Sequence, residues 1–415
     1  MTAFLKSFFT RNFNKREVPP IEWFDINDEK PRAIIQVSPA IQPNGVFVNY
    51  GDAIMYWAAR EQLTKRGFSV MCLPREKANC EQLQAQAAKL FIDCAGFIYS
   101  SAHHKAIRSA QAASITAHNA KCCKQAGAIA ISAPQTFGPF NPISEDELSF
   151  QLLEMLDRMD SIYARDPISV EYLSQLSPDI SPKISIAPDL AFLYQTDSSE
   201  AGLRLLSRSG LDVRKGAKPI VGLTLNRQLY DRVPSYLETM KKVITFFKDK
   251  GTQIVLIPHE NGRYGKKEKD DQFLSHYLAK QTKVATLSKR KRYSQKAEIN
   301  YIKAVESAIE SLDFLVSGRF HVALRGLSGN VPTVAFSWAH KYEMLFQTVG
   351  MSADDNILIQ EDLKVNDKDE IVCTKLEQAW SHREETKLHL TNTIPKVKQQ
   401  VSEFIDKSVE LALNS

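Results

Sequence analysis

Two side chains in the last third of the sequence have the types and spacing of an anion-binding site. Arg319 and His321 follow an apolar run at 313–316 that is typical of a buried strand, and apolar positions with helical spacing follow them. The first amides of a helix and its dipole favour an anion, and arginine adds a forked donor. The segment therefore predicts an anion site. The alternative is that Arg319 pairs with a neighbouring carboxylate and His321 is a packed helix residue.

Two further candidate anion contacts follow other strands of the same region. Arg227 follows the apolar run at 220–225, and His259 follows the run at 253–257. The carboxyl ends of parallel strands share one edge of a sheet, where ligands bind. We therefore expect these side chains and the first pair to converge on one small, multiply charged anion.

A polar segment near the start of the chain is a second candidate site. Asn49, Gly51 and Asp52 come directly before a helical stretch at 53–66. Asp52 either caps this helix or faces a cleft, where its carboxylate would contact or deprotonate a substrate hydroxyl. Three other segments also follow strands, and we expect each to organise a loop or cap a helix. These are 133–142, Arg165-Asp166-Pro167 and Pro188-Asp189.

The composition is that of a globular α/β protein with more than one domain. The chain has 415 residues, 43% of them hydrophobic and 24% charged, with a net charge of +5. This length fits two domains of roughly 150 to 200 residues, and the charge is too mild to indicate nucleic acid. The six cysteines show no CxxC pair, so we expect reduced thiols and a cytoplasmic protein. No apolar run is long enough to span a membrane.

Short apolar runs alternate with helical stretches along the chain, which indicates parallel sheets covered by helices. We predict two doubly wound Rossmann-like domains facing a cleft, a GT-B-like architecture. The predicted units are 1–32, 33–196, 197–393 and a helical segment at 394–415 that crosses back to the first domain. The predicted strands are 33–37, 69–73, 96–100, 128–132, 161–164, 184–186, 220–225, 253–257, 284–287, 314–316 and 333–336. The predicted helices include 53–66, 81–90, 106–126, 145–159 and 394–413.

Two basic segments lie outside this pattern. Phenylalanines and basic residues interleave in the first 16 residues, as in a short helix that rests on an anionic membrane. A frayed or packed terminus is the favoured alternative. The run at 289–292, with Arg263, Lys266, Lys267 and Lys269 upstream, is interpreted as a solvated loop. Its alternative is a lining of the cleft that meets an acidic acceptor. The run lacks the interleaved aromatic residues on which nucleic-acid bases would stack.

The motifs, taken in order, resemble the polysaccharide pyruvyl transferase family over residues 33–350. The strongest match is Ser317-Gly318-Arg319-Phe320-His321. The other matching landmarks are Asn49–Asp52, Gln135–Phe140, Arg165–Ser169, Pro188-Asp189, Ile257–His259, Asp270-Asp271, Val331-Pro332 and Lys341.

This resemblance implies an enzyme that uses phosphoenolpyruvate as donor substrate and forms a pyruvate ketal on a sugar, with release of phosphate. It implies donor contacts from the second domain and an acceptor side in the first, which holds Asn49, Gly51 and Asp52. The implied acceptor is an oligosaccharide or an exopolysaccharide, free or lipid-linked, at the cytoplasmic face of a membrane. The implied donor contacts are Arg227, His259, Arg319, Phe320 and His321.

The implied mechanism uses His321 as general acid and arginines that hold the phosphate. A histidine beside phosphate tends to keep its proton. Because no metal-ligand spacing is present, we expect no metal and no cofactor. Two other functions stay open. One is a GT-B glycosyltransferase that uses a nucleotide sugar, and the other is a non-catalytic anion-binding protein with the same fold.

Overall fold

Two helix-covered sheets form the part of the chain that the computed structural model describes. The described residues are 23–24, 29–37, 49–100, 106–140, 147–196, 198–260, 271–287 and 295–414. The N-terminal aromatic and basic segment lies outside these residues. So do the basic run at 289–292 and the four basic residues at 263–269. The predictions made for these segments therefore stay predictions.

Within the described residues, the first sheet has the strand order β1-β3-β2-β4-β5-β6-β7, with β1 antiparallel to β3 and every other pair parallel. Its core strands are almost completely buried, as expected for strands with helices on both faces. The strands are β1 (Trp23–Phe24), β2 (Arg32–Val37), β3 (Ser69–Pro74), β4 (Leu90–Cys94), β5 (Ile129–Gln135), β6 (Ser161–Ala164) and β7 (Ile184–Ile186).

The second sheet is parallel throughout, with the order β10-β9-β8-β11-β12-β13 in the described part of the chain. Its strands are β8 (Ile220–Thr224), β9 (Gln253–Leu256), β10 (Ala285–Thr286), β11 (Phe314–Ser317), β12 (Thr333–Ser337) and β13 (Ile357–Ile359). The chain order reverses between β8 and β11. A crevice at the carboxyl ends of these two strands is therefore the expected ligand site.

Helices cover both sheets. Those of the first half are α1 (Tyr50–Lys65), α2 (Cys80–Gln84), α3 (Ala106–Lys124), α4 (Glu147–Arg158) and α5 (Pro167–Leu176), with 3₁₀ turns at Pro178–Lys183 and Leu190–Leu193. Those of the second half are α6 (Ser199–Arg208), α7 (Arg227–Arg232), α8 (Tyr236–Asp249), α9 (Asp271–Thr282), α10 (Gln295–Glu310), α11 (Phe320–Ser328), α12 (Lys341–Thr348), α13 (Ala353–Asn356), α14 (Lys368–Ser381) and α15 (Arg383–Asn414).

The fold class is confirmed, but the fourth strand was misplaced. The strand predicted at 96–100 is irregular backbone, and β4 lies at Leu90–Cys94, directly after the predicted helix 81–90, which had included Leu90. Asp93 breaks the apolar run there, yet it is buried because Arg75, Gln36 and Tyr99 donate hydrogen bonds to it. The helix predicted at 53–66 starts earlier, at Tyr50, because Asn49 caps it by accepting from the Gly51 amide.

Helix α15 is 32 residues long and starts well before the predicted position 394. Its Phe404 ring packs edge-on against Tyr163 of β6, with 4.5 Å between ring centres. Its Asp406 forms an ion pair with Arg66, at the end of α1, at 2.7 Å. The C-terminal helix therefore packs on elements of the first sheet.

The expectation that every cysteine is a reduced thiol is wrong for one pair. Cys80 and Cys122 form a disulfide, with their Cα atoms 5.1 Å apart. Helix α2 begins at Cys80 and lies against α3, which carries Cys122 near its end. The two positions are 42 residues apart in sequence, and only the packing of α2 on α3 brings them together.

Candidate active site

The site is built at the point where the strand order of the second sheet reverses. Asn226 follows β8 and Gly318 follows β11, and the Asn226 side-chain amide donates to the Gly318 carbonyl at 2.5 Å. The Gly318 amide donates to the carbonyl of Thr224 at 2.9 Å. A Cβ on Gly318 would lie 2.9 Å from Cβ of Asn226 and 3.0 Å from the Tyr236 hydroxyl. Only glycine fits this crossing, which aims the start of α11 at the crevice.

The N-terminus of α11 has no capping hydrogen bond from its N-cap side chain. Arg319 occupies the N-cap position, and no side chain caps the first turn. The Ser317 hydroxyl accepts from the Arg319 amide at 3.1 Å, which leaves the amides of Phe320 and His321 without a capping side chain. Unsatisfied amides and the helix dipole make such an end an anion site.

Two carboxylates hold the Arg319 side chain. Its Nε donates to Asp271 Oδ2 at 2.7 Å, and its Nη2 donates to Oδ1 of the same carboxylate at 2.5 Å. Its Nη1 lies 2.6 Å from Glu260 Oε2. Arg319 therefore pairs with neighbouring carboxylates, as its alternative interpretation predicted. This pairing coexists with the uncapped helix end beside it.

The electrostatics of this cluster are set by burial. Burial raises the pKa of the Asp271 carboxyl to about 6 although Arg319 opposes this shift, and Glu260 adds to it. Burial disfavours the charge of Arg319, but Asp271 and Glu260 outweigh it and hold its pKa above the usual value. Arg319 is therefore a permanent cation beside a carboxyl that titrates near neutral pH.

The His321 imidazole lies between elements of the two sheets. A Cβ on Gly51 would lie 2.1 Å from His321 Nδ1, so glycine is required at position 51. His321 Nε2 lies 3.7 Å from Asp189 Oδ2. The first sheet therefore supplies both the surface against which His321 packs and a negative charge beside its second nitrogen.

Asp189 and Arg165 form a buried ion pair behind His321. The Arg165 guanidinium also donates to the Thr136 hydroxyl at 2.8 Å and to the Gly96 carbonyl at 2.9 Å. It lies 4.7 Å from the ring centre of Phe320. These contacts fix the Arg165 side chain against the start of α11.

The Asp189 carboxylate keeps its charge in this setting. Burial opposes ionisation, but the Arg165 guanidinium, then His321, outweigh it and hold the pKa of Asp189 well below its usual range. The Ala191 amide donates to Asp189 at 2.8 Å. A stable carboxylate therefore lies beside the imidazole of His321.

Lys341, the first residue of α12, is enclosed by aromatic rings. Its Nζ lies 4.2 Å from the ring centre of Phe97 and 4.5 Å from that of Trp338, with Phe320 and Tyr342 further out. Burial, together with the positive charges of two nearby arginines, lowers the pKa of Lys341 well below its usual value. An anion that enters the crevice would therefore favour the protonated form of the Lys341 amine.

The other predicted site residues lie around this centre. Asn49 caps α1 with its side chain, so Asp52 is not the cap and lies half-buried in the first turn. Arg227 starts α7 and pairs with Asp231 at 2.7 Å. His259 is buried, with its Nε2 2.8 Å from Glu306 and its ring against Tyr50. Phe320 is buried under Arg165. His259 is thus engaged with Glu306 and Tyr50.

Several residues that contact the start of α11 come from distant segments, and the sequence did not predict these contacts. Asp166 caps α5 as expected, by accepting from the Ser169 amide. Arg165 and Asp189, expected to organise loops, also reach Phe320 and His321. Glu260 and Asp271 were not predicted as partners of Arg319. The available signal was position, because Arg165 follows β6 and Asp189 follows β7.

No group of three His, Cys, Asp or Glu side chains among the described residues could hold a metal ion. No helix in the described ranges is long and apolar enough to cross a membrane.

Comparison with solved structures defines the class of the fold. Anabaena HepE in complex with UDP superposes with a TM-score of 0.53 at 9% identity, over 92% of this chain and 99% of that one. S. aureus MnaA in a co-structure with UDP gives 0.54 at 8% identity, over 92% and 97%. At such identity the likeness establishes the fold alone, which is GT-B-like with two facing α/β units. No curated protein matches the sequence.

The family follows from the sequence itself. A sequence model of the family described as polysaccharide pyruvyl transferase matches residues 49–340. Because this match covers most of the chain, the protein belongs to the polysaccharide pyruvyl transferase family. The matched range includes Gly51, Arg165, Asp189, Arg319 and His321, the residues that meet at the crevice.

Proposed function

We propose that this protein transfers the enolpyruvyl group of phosphoenolpyruvate to a sugar of a polysaccharide or oligosaccharide and forms a pyruvate ketal. Family membership supports pyruvyl transfer. The observation that carries the donor is the uncapped start of α11. Arg319 adds positive charge there for a small molecule with a phosphate and a carboxylate, and Lys341 adds an amine that can take up a proton beside an anion.

In this proposal the donor phosphate binds the first amides of α11 and the guanidinium of Arg319. The donor carboxylate approaches Lys341, whose amine then takes up a proton. Arg227 is a further candidate, which would exchange Asp231 for the donor. The second unit, residues 197–393, would hold the donor, and residues 33–196 the acceptor.

The proposed reaction begins with a proton. His321, which lies beside Asp189, donates a proton to the methylene carbon of the donor, and the adjacent carbon gains cationic character. One sugar hydroxyl bonds to that carbon. The C–O bond to phosphate breaks, and phosphate leaves with the electron pair, stabilised by Arg319. A second hydroxyl then bonds to the same carbon and closes the ketal.

The two hydroxyl protons complete the balance of this reaction. One returns to His321 and the other leaves with the phosphate. Asp52, in the first turn of α1, is the acceptor-side residue that we propose to contact the sugar hydroxyls. Gly51 is the position at which α1 meets His321, so it joins the acceptor side to the proposed acid.

Calorimetric titration tests the donor. We expect phosphoenolpyruvate to bind the full chain, to compete with inorganic phosphate, and to bind more tightly than UDP. Binding of UDP without binding of phosphoenolpyruvate would favour the nucleotide-sugar alternative. Binding of inorganic phosphate alone would favour the non-catalytic alternative.

A further inference from the structure

A cavity of about 300 Å³ lies where α15 packs over the edge of the first sheet. Its walls come from β6, the edge strand β7, the segment after β7, the end of α12 and one face of α15. All of these segments belong to the described part of the chain. The volume is at the lower limit for small-molecule sites, which favour the boundary between domains. Neither Arg319 nor His321 lines the cavity, so it is separate from the crevice.

The face of α15 over this cavity is polar. Gln400, Glu403 and Lys407 are spaced three and four residues apart, so they lie on one side of the helix, with Phe404 between them. A helix face that only covers a sheet is expected to be apolar. The Gln399 amide donates to Glu403 at 3.2 Å. This face therefore presents an amide, a carboxylate and an ammonium group to the cavity.

The opposite wall carries a buried hydroxyl. Tyr163 lines the cavity and is only 6% exposed. Its ring packs edge-on against Phe404, and no group of the described residues forms a hydrogen bond with its hydroxyl. Burial raises the pKa of Tyr163, so the hydroxyl keeps its proton. A buried hydroxyl without a partner is unfavourable, and a ligand hydroxyl in the cavity would satisfy it.

The charges of the lining favour an uncharged ligand over an anion. Glu403 offsets the charge of Lys407. The Arg165 guanidinium also lines the cavity, but it is already paired with Asp189. Pro188 adds an apolar surface. A sugar ring has hydroxyls that donate to and accept from amide, hydroxyl and carboxylate groups, and it has C–H faces that pack on apolar side chains.

We propose that this cavity is a carbohydrate-binding site that takes one sugar unit, apart from the crevice. The Tyr163 hydroxyl and the Gln400 amide bond to the sugar hydroxyls, and Pro188 packs on a C–H face. The sugar unit is either a free sugar or a distal unit of the acceptor chain. Its binding stabilises the strand ends that carry Arg165 and Asp189. The site does not depend on the identity of the donor.

An NMR titration by saturation-transfer difference, using the full chain and the methyl glycosides of glucose, galactose and mannose, tests this site. We expect the parent to bind at least one glycoside. Gln400→Trp fills the cavity from an exposed position and should abolish binding. Tyr163→Phe keeps the ring against Phe404 but removes the hydroxyl, so it should weaken binding by about three- to tenfold. Asn392→Trp and Tyr277→Phe, at exposed positions outside the cavity, are the matched controls and should bind as the parent does.

Binding that Gln400→Trp leaves unchanged would place the sugar elsewhere and overturn the proposal. Absence of binding of every glycoside to the parent would also overturn it. Because the titration needs no donor, its outcome is independent of pyruvyl transfer.

Steady-state kinetics with an oligosaccharide and with a single-sugar acceptor separate the two sources of the sugar unit. A KM of Gln400→Trp that is higher for the oligosaccharide alone assigns the cavity to a distal unit of the acceptor chain. Unchanged KM values for both acceptors, with glycoside binding lost, assign it to a free sugar.

Discussion

Arg319 and His321 lie two residues apart and have different chemical roles in the proposed reaction. The fork of Arg319 binds Asp271 through two N–H groups and lies beside the uncapped start of α11. His321, two residues on, faces Gly51 with one nitrogen and Asp189 with the other. The role proposed for Arg319 needs the planar geometry of a guanidinium, and the role proposed for His321 needs a group that can donate a proton.

Replacing Arg319 with lysine separates charge from geometry. Lysine keeps the cation but cannot bind Asp271 in a bidentate manner and an anion at the same time. We expect Arg319→Lys to weaken donor binding by about 1.5–3 kcal/mol, measured by calorimetry. Arg214→Lys, at an exposed pair with Asp212, is the control. Near-normal affinity in Arg319→Lys would show that the fork is not used.

Replacing His321 with glutamine separates binding from proton transfer. The amide can donate a hydrogen bond but cannot deliver a proton, so we expect donor binding to persist and turnover to fall by about 10²-fold or more. Steady-state rates at saturating donor measure this, with exposed His382→Gln as the control. If His321→Gln turns over within a few-fold of the parent, His321 is not the acid, and Lys341 becomes the next candidate.

The first residues of α1 and α11 are in direct contact, with no side chain at position 51 to separate the two helices. Asn49 sets where α1 begins, Gly318 sets where α11 begins, and Gly51 allows the contact. Arg165 and Asp189, which follow β6 and β7, contact Phe320 and His321 at the same place. The chemistry is therefore assembled from the first residues of two helices and from two strand ends.

Gly51→Ala tests this meeting of helices. Its Cβ would lie 2.1 Å from Nδ1 and 2.8 Å from Cβ of His321, so the imidazole or α1 must shift. We expect turnover to fall by at least about tenfold, since a misplacement of about 1 Å can cost as much as about 10²-fold, and we expect the melting temperature to fall. A double variant with His321→Ala should recover part of the lost stability. Independent, additive effects on stability would contradict the contact.

The sequence predicted well those elements whose pattern is local. The strand before Arg319 and the helix after it were predicted because an apolar run ends at Gly318 and helical periodicity begins. The strand β4 was missed because Asp93 looks like a surface residue until Arg75, from another strand end, neutralises it. The Cys80–Cys122 disulfide and the contact of Asp189 with His321 were missed for the same reason. Each depends on packing between segments far apart in sequence.

At the scale of the molecule, α15 joins the two halves. It continues from the second unit and packs on α1 and β6 of the first. One hydrophobic cluster of buried residues runs through both sheets, from Ile35 and Val37 to Val221, Val316 and Phe404. Because the crevice lies between the units, this packing sets the distance between Asp189 and His321.

Phe404→Ala tests the role of α15. The ring is buried against Tyr163, and its loss should destabilise the protein by about 3–5 kcal/mol. Scanning calorimetry should show the lower transition, together with a lower affinity for the donor. Leu411→Ala, on the exposed side of the same helix, is the control. A shift no larger than that of Leu411→Ala would show that α15 does not hold the halves together.

Pyruvyl transfer from phosphoenolpyruvate at the start of α11 can be followed through its products. The most direct measurement incubates the full chain with phosphoenolpyruvate and a panel of oligosaccharides and follows the products by mass spectrometry, with Arg319→Ala and His321→Gln in parallel. We predict a product that carries one added pyruvyl group as a ketal, with one equivalent of phosphate released, formed by the parent and lost in both variants. Phosphate release without a pyruvylated sugar, or equal product from the variants, would contradict the account.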